Sequence, residues 1–172
     1  MILTTERLTL VPLGTEHFET THAYSSDIEN TRFMMFLPNE SREETLSFLR
    51  QCEEQWHSPD PDFFEFAIIH DKIHIGAVGI YRLKEAGEWE LGWILDKRYH
   101  GKGYATEAAK AVIKCWRKQN DTSKFIAHCD SENISSARVM EKLGMTLVCV
   151  SGGRKNRSSD EERKELLYEL NI

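Results

Sequence analysis

Apolar residues recur along the chain at two periods, and the switches between them divide it into elements. From Thr5 to Leu13 the alternation puts Leu8, Leu10 and Pro12 on one face, predicting a first strand that Gly14 breaks. Thr15 then serves as the N-cap of a helix reaching about Ser25, with Phe18 and His22 at helical spacing. Asn30–Leu37 is a short apolar segment closed by Pro38, either core or a flexible wall against a bound molecule. Ser41 and Glu44 form a capping-box pattern, and Leu46, Leu49, Cys52 and Trp56 carry a second helix up to the turn at Ser58–Pro61. Two strands are predicted next, Phe64–Ile69 and Ile73–Leu83, joined by a tight turn at His70–Lys72. Gly76 and Gly79 inside the second mark a bulge or a close contact.

After a turn at Lys84–Gly87, a further strand sets Trp89, Leu91, Trp93 and Leu95 on one face and Glu88, Glu90, Gly92, Ile94 and Asp96 on the other. The helix that follows has an apolar stripe of Ala105, Ala108, Ala109, Val112, Ile113 and Trp116, and Asn120 and Asp121 end it. Phe125–Cys129 reads as a strand. A last helix buries Ala137, Met140 and Leu143 and stops at Gly144. Met145–Val150 and Leu166–Leu170 read as closing strands, and polar Ser151–Glu162 as a mobile loop with little means of burying itself. This order predicts one α/β domain of the α+β type over residues 1–172, a mixed sheet with helices on both faces.

Composition narrows the function classes. The chain has 172 residues, enough for one sizeable core, and a formal charge of −6, which counts against nucleic acid as a partner. Its four cysteines, Cys52, Cys115, Cys129 and Cys149, form no C-x-x-C pair and read as core thiols of a reducing compartment. No apolar run is long enough to span a membrane and the opening residues lack a signal-peptide pattern, so a cytoplasmic location is expected. No metal site, serine triad or Cys/His nucleophile pair emerges from the spacings.

The stretch with the strongest chemical signal is the turn before the Ala-rich helix. His100, Gly101, Lys102 and Gly103 supply no Ser, Thr, Asp or Asn to cap the helix start. Unpaired N–H groups and the positive end of the helix dipole then face outward, which suits a phosphate or pyrophosphate. Two glycines let the backbone come close to such a group. The alternative is an ordinary corner.

A second pattern lies downstream: Asn133, Ser136, Ala137 and Arg138, followed by Glu141, Lys142, Leu143, Gly144 and Met145. Taken with His100–Ala105, it resembles the GNAT N-acetyltransferase superfamily along nearly the whole chain. Gly103 and Ala105 stand at the small positions of that family's pyrophosphate motif, Gln/Arg-x-x-Gly-x-Gly/Ala, with His100 at its first position. The Asn-x-x-Ser helix and the opening Thr5-Glu6-Arg7-Leu8 are similar to the branch of ribosomal-protein N-terminal acetyltransferases. The resemblance implies a mostly antiparallel sheet of about seven strands, with acetyl-CoA bound where two strands splay apart.

Under that resemblance, backbone groups at Ile94 and Leu95 pair with the pantetheine arm. The N–H groups of Gly101, Lys102, Gly103, Tyr104, Ala105 and Thr106, after His100, hold the pyrophosphate. Asn133 contacts the pantetheine or phosphate region or simply caps its helix, and Arg138 and Lys142 are either 3′-phosphate contacts or surface charge. Attack of an amine on a thioester requires a base, an oxyanion donor and an acid for the thiolate. Glu90, on a strand rich in Trp, Leu and Ile, is the candidate base, the alternative being a group that orients the acceptor. The backbone N–H at Leu95 is the oxyanion donor. Met140 stands where many members carry a tyrosine acid, so Ser136 is the substitute donor. His74, Tyr81 and His128 read as structural. The acceptor is a protein N-terminus or a small amine such as a polyamine or antibiotic. An open groove to Glu90 would favour the former, and a closed pocket lined by Phe33, Met34 and Phe36 the latter. A non-catalytic CoA-binding module is the competing class. Oligomeric state is left open, a homodimer included.

Overall fold

A computed structural model describes residues 1–119 and 122–172. The predicted helix end at Asn120 and Asp121 lies outside the described residues. Eight strands form one sheet in the order β1-β2-β3-β4-β5-β6-β8-β7. They are β1 (Leu3–Thr4), β2 (Thr9–Pro12), β3 (Phe63–His70), β4 (Ile73–Arg82), β5 (Glu88–Leu95), β6 (Lys124–Asp130), β7 (Thr146–Lys155) and β8 (Glu162–Asn171). All neighbours pair antiparallel except β5 and β6. A parallel pair needs a long crossover, which α3 (Tyr104–Gln119) supplies. The other helices are α1 (Phe18–Ser25), α2 (Arg42–His57) and α4 (Ile134–Lys142).

The period-2 pattern sorts the strands' side chains onto two faces. On one, Leu8, Leu10, Phe66, Ile68, Val78, Ile80, Leu91 and Phe125 pack with the α3 stripe and Met140 of α4 in the main core. On the other, α1 and α2 cover only the β2–β4 side, where Leu13, Leu49, Cys52, Ala67 and Ala77 form a smaller core that Ile94 borders. The same face of β5, β6 and β8 carries Glu88, Glu90, Lys124, His128, Glu165 and Glu169, the polar half of the molecule.

Three expectations need correction. Ser151–Glu162 is no mobile loop: β7 runs on to Lys155 and β8 begins at Glu162, leaving a short hairpin tip. Polar groups anchor it in place of apolar burial. The Asn156 amide donates to the carbonyls of Thr31, Met34 and Leu37 at 2.8, 2.7 and 2.9 Å, and Arg154 donates to the Phe33 carbonyl at 3.1 Å. Segment 31–37 is thereby tied to the hairpin rather than packed as core, and Phe36 is 81% exposed. Thr15 does not cap α1; a 3-10 turn intervenes at Thr15–His17, and the Thr15 hydroxyl donates to Glu53 at 2.6 Å. Ser41 does cap α2, accepting from Glu44 N–H at 3.2 Å.

Candidate active site

β5 keeps a partner along one edge and loses it along the other. Its antiparallel ladder with β4 continues to Leu95, but its parallel ladder with β6 stops at Glu90↔Ile126. The Asp96 N–H donates to the Ile75 carbonyl at 2.9 Å, and antiparallel bonding alternates residue by residue. The main-chain groups of Leu91, Trp93 and Leu95 therefore point away from β4 into the opening between β5 and β6. Ile94 is in the other phase, turned toward Ala77. The edge offered to the opening is thus that of Trp93 and Leu95, not of Ile94 and Leu95. Gly76 makes this strand end fit: a Cβ there would stand 2.2 Å from the Ile94 carbonyl oxygen.

The turn beyond β5 is braced from three sides. Asp96 caps the 3-10 turn Lys97–Tyr99 by accepting from Arg98 N–H at 2.9 Å. The His100 ring folds back, its Nε2 donating to the Leu95 carbonyl at 2.9 Å. Gly101 and Gly103 adopt φ of +75° and +82°, in the left-handed region that favours glycine. Arg7 donates to the Lys102 carbonyl at 3.0 Å and to Glu107 Oε2 at 2.7 Å, with its guanidinium over the Tyr104 ring. Burial alone would raise the Glu107 carboxyl, but bonds from Thr5 and Arg7 outweigh it and hold it below the usual range. Tyr104 is fixed by its hydroxyl, 2.8 Å from His70 Nε2.

So held, the N–H groups of Gly101, Lys102, Gly103, Tyr104, Ala105 and Thr106 find no acceptor among the described residues. A Cβ at Gly101 would meet nothing within 4 Å. Successive unpaired donors on an open concave backbone at a helix N-terminus are suited to an anion.

Because β5 and β6 are parallel, α4 begins at the same end of the sheet. Asn133 is its N-cap, Oδ1 accepting from Ser136 N–H at 3.1 Å. The capping role is realised, while the Asn133 NH₂ has no bond among the described residues. Ser136 is half-buried, Arg138 and Lys142 are exposed, and Met140 is fully buried. A thioether has no proton to donate.

On the polar face, Glu90 Oε1 lies 2.8 Å from His128 Nδ1, with side chains 34% and 28% exposed. The Glu90 hydrogen bond raises the His128 pKa despite partial burial. Lys124 bridges Glu88 at 2.9 Å and Glu169 at 3.7 Å. Sequence reasoning took His128 and Tyr81 as structural and passed over Arg7, Glu65 and Glu107. The opening Thr-Glu-Arg-Leu did contain the signal for Arg7, but no sequence feature shows that it reaches a turn about a hundred residues away.

An anion cradle at the crossover helix, beside a parallel strand pair whose ladder stops short, suits a phosphate-bearing molecule, and comparison with known proteins gives the family. The profile of the acetyltransferase (GNAT) domain family matches residues 7–146. The chain belongs to this family. It is similar to the uncharacterized N-acetyltransferase YnaD of Bacillus subtilis (strain 168), 29% identical over 147 residues that cover 84% of this chain and 82% of that one. Among solved structures, a GNAT-family acetyltransferase from Bacillus anthracis superposes with TM-score 0.83 at 26% identity, covering 99% of this chain and 98% of the other. The ribosomal L7/L12 alpha-N-protein acetyltransferase RimL, solved in complex with coenzyme A, shares the fold with TM-score 0.83 at 16% identity, covering 100% and 98%.

Proposed function

We propose that this chain transfers the acetyl group of acetyl-CoA to the N-terminal amine of a protein, directly and within a ternary complex. The six unaccepted N–H groups at the Gly101–Thr106 turn carry the donor assignment, since they fit a pyrophosphate. Acetyl-CoA supplies an activated acetyl thioester. The main-chain edge at Trp93 and the Leu95 N–H, the Leu95 carbonyl already accepting from His100, offers strand-like bonds to an extended arm, and the Asn133 NH₂ a further donor. The Leu95 N–H points into the opening and is the candidate oxyanion donor. Glu90 takes the proton of the incoming ammonium, and His128 holds its carboxylate in place. The Ser136 hydroxyl is the available donor toward the sulfur.

The acceptor assignment rests on the openness of the Glu90–His128 pair. The pair is partly open, with the Glu90 and His128 side chains 34% and 28% exposed, and Phe36 projects outward rather than closing over it. That geometry suits an extended chain end better than an enclosed small amine, and RimL, of the same fold, is named for such a substrate. The test is thiol release from acetyl-CoA with a panel of peptides and small amines. Peptides are expected to turn over, and Glu90→Gln to slow transfer about 10²- to 10⁴-fold with acetyl-CoA affinity unchanged. Turnover of polyamines or antibiotics but of no peptide would refute the acceptor. Acetyl-CoA binding without any thiol release would make the chain a binding module.

A further inference from the structure

Gly79 of β4 and Gly92 of β5 are Cα partners, so two positions without side chains lie side by side on the face that carries Glu90. Two polar side chains fill the hollow above them. Tyr81 leans over Gly92, where a Cβ would stand 3.4 Å from its ring. A Cβ at Gly79 would stand 2.4 Å from Glu65 Oε1 and 2.6 Å from the Tyr81 hydroxyl oxygen. The Tyr81 hydroxyl donates to Glu65 Oε1, and no other partner is present for that carboxyl among the described residues. Glu65 is 5% exposed. Tyr81 is in turn the Cα partner of Glu90, which bonds His128. A polar row of Glu65, Tyr81, Glu90 and His128 thus crosses β3, β4, β5 and β6, dry at one end and open at the other. A carboxyl buried with one neutral partner is costly, and an apolar side chain would fill the same hollow without that cost.

We propose that Glu65 and Tyr81 are a positioning pair for acetyl transfer, in which the proton on Glu65 decides where the Tyr81 hydroxyl points. With Glu65 ionised, the Tyr81 O–H donates to it. With Glu65 protonated, the carboxyl O–H donates to the Tyr81 oxygen, and the tyrosine hydrogen is released toward β5, where Glu90 and the strand opening lie. One proton gained by Glu65 redirects one hydroxyl hydrogen, and no other bond is made or broken. The inference rests on Glu90 acting in transfer as proposed above. Among the described residues, the titratable groups coupled to Glu65 are Tyr81 on β4, Tyr24 on α1 and Cys52 on α2, with Glu90 on β5 beyond Tyr81. None of them is a cation, and burial pushes Glu65 up to about 7, so the pair changes state at neutral pH.

The experiment compares pH profiles of kcat and kcat/KM for the wild type, Glu65→Gln and Tyr81→Phe. The wild type is expected to show an ionisation near neutrality that both variants lose, beside the His128 ionisation that all three proteins keep. Tyr81→Phe should also lower kcat at least about tenfold below it, the worth of a hydrogen bond to a charged group, with acetyl-CoA affinity unchanged. A merely structural role would leave the profile's shape intact. Transfer by the wild type with both variants keeping its profile overturns the pair and leaves the proposed function standing. A wild type that transfers to no amine overturns that function and this role together. Where Glu65→Gln does not fold, Tyr81→Phe alone decides, since it removes the hydroxyl and keeps the ring.

Discussion

One buried and one partly buried group should give this protein opposite pH dependences of stability that cancel in the wild type and separate on mutation. His74 on β4 sits against the His17 ring, its Nε2 donating to the Gly76 carbonyl at 2.8 Å. Burial, and then His17, depress its pKa from 6.5 to about 4. Burial raises Glu65 from 4.5 to about 7. At pH 4.5–6.5 the unfolded chain holds a proton on the histidine and none on the glutamate, and the folded chain the reverse. Proton counts match, so these two groups contribute no slope. Glu65→Gln leaves only the depressed histidine, whose stabilising contribution is present above the unfolded pKa and lost as pH falls. His74→Asn leaves only the raised glutamate, whose contribution is present at low pH and lost as pH rises through about 7. One uncompensated proton is worth about 1.4 kcal/mol per pH unit, so each variant should diverge from the wild type by about 3 kcal/mol across the window, in opposite directions. At roughly 2–4 °C per kcal/mol, that is a relative Tm change of about 6–12 °C. Differential scanning fluorimetry at half-unit pH steps reads it. All other carboxylates act equally on the three proteins, so three parallel Tm curves would refute the burial argument.

Two further outcomes follow from the bracing contacts. Asn156→Ala leaves the carbonyls of Thr31, Met34 and Leu37 without their shared donor; it should cost about 2–3 kcal/mol and speed hydrogen exchange in residues 31–37, and wild-type exchange there would contradict the clamp. Arg7→Ala releases the Lys102 carbonyl and Glu107, so acetyl-CoA should bind about fivefold more weakly by calorimetry, one ordinary hydrogen bond's worth; unchanged affinity would show that the turn holds its shape without Arg7.

The elements with an apolar period were legible in the sequence because burial writes them there. The α3 stripe from Ala105 to Trp116 and the two faces of β5 are found as the alternation predicts. What escaped was built from polar groups joined across long separations. The β7–β8 hairpin looked like loose chain because its anchors are Asn156, Arg154 and Arg163, and their partners lie on loop carbonyls far earlier in the sequence. The alternation showed that Ile94 and Leu95 lie on opposite faces, but not which of them turns its backbone to the opening. That phase is set by one bond, Asp96 to Ile75. Glu65 and Tyr81 were hidden for a related reason. Gly79 signalled a close contact, yet only the register pairing it with Gly92 reveals a hollow.

The central claim is that the Gly101–Thr106 turn holds the phosphates of acetyl-CoA, and Gly103→Asp tests it most directly. A Cβ at Gly103 would lie 3.6 Å from Arg7 Nη2 and meet nothing closer. Its φ of +82° costs a side chain about 1–2 kcal/mol, and aspartate tolerates that region better than most residues. The variant should therefore fold, while placing a carboxylate beside the unpaired N–H groups. Isothermal titration with acetyl-CoA is predicted to show saturable binding to the wild type and none to the folded variant. Equal affinity for both would contradict the assignment of the site.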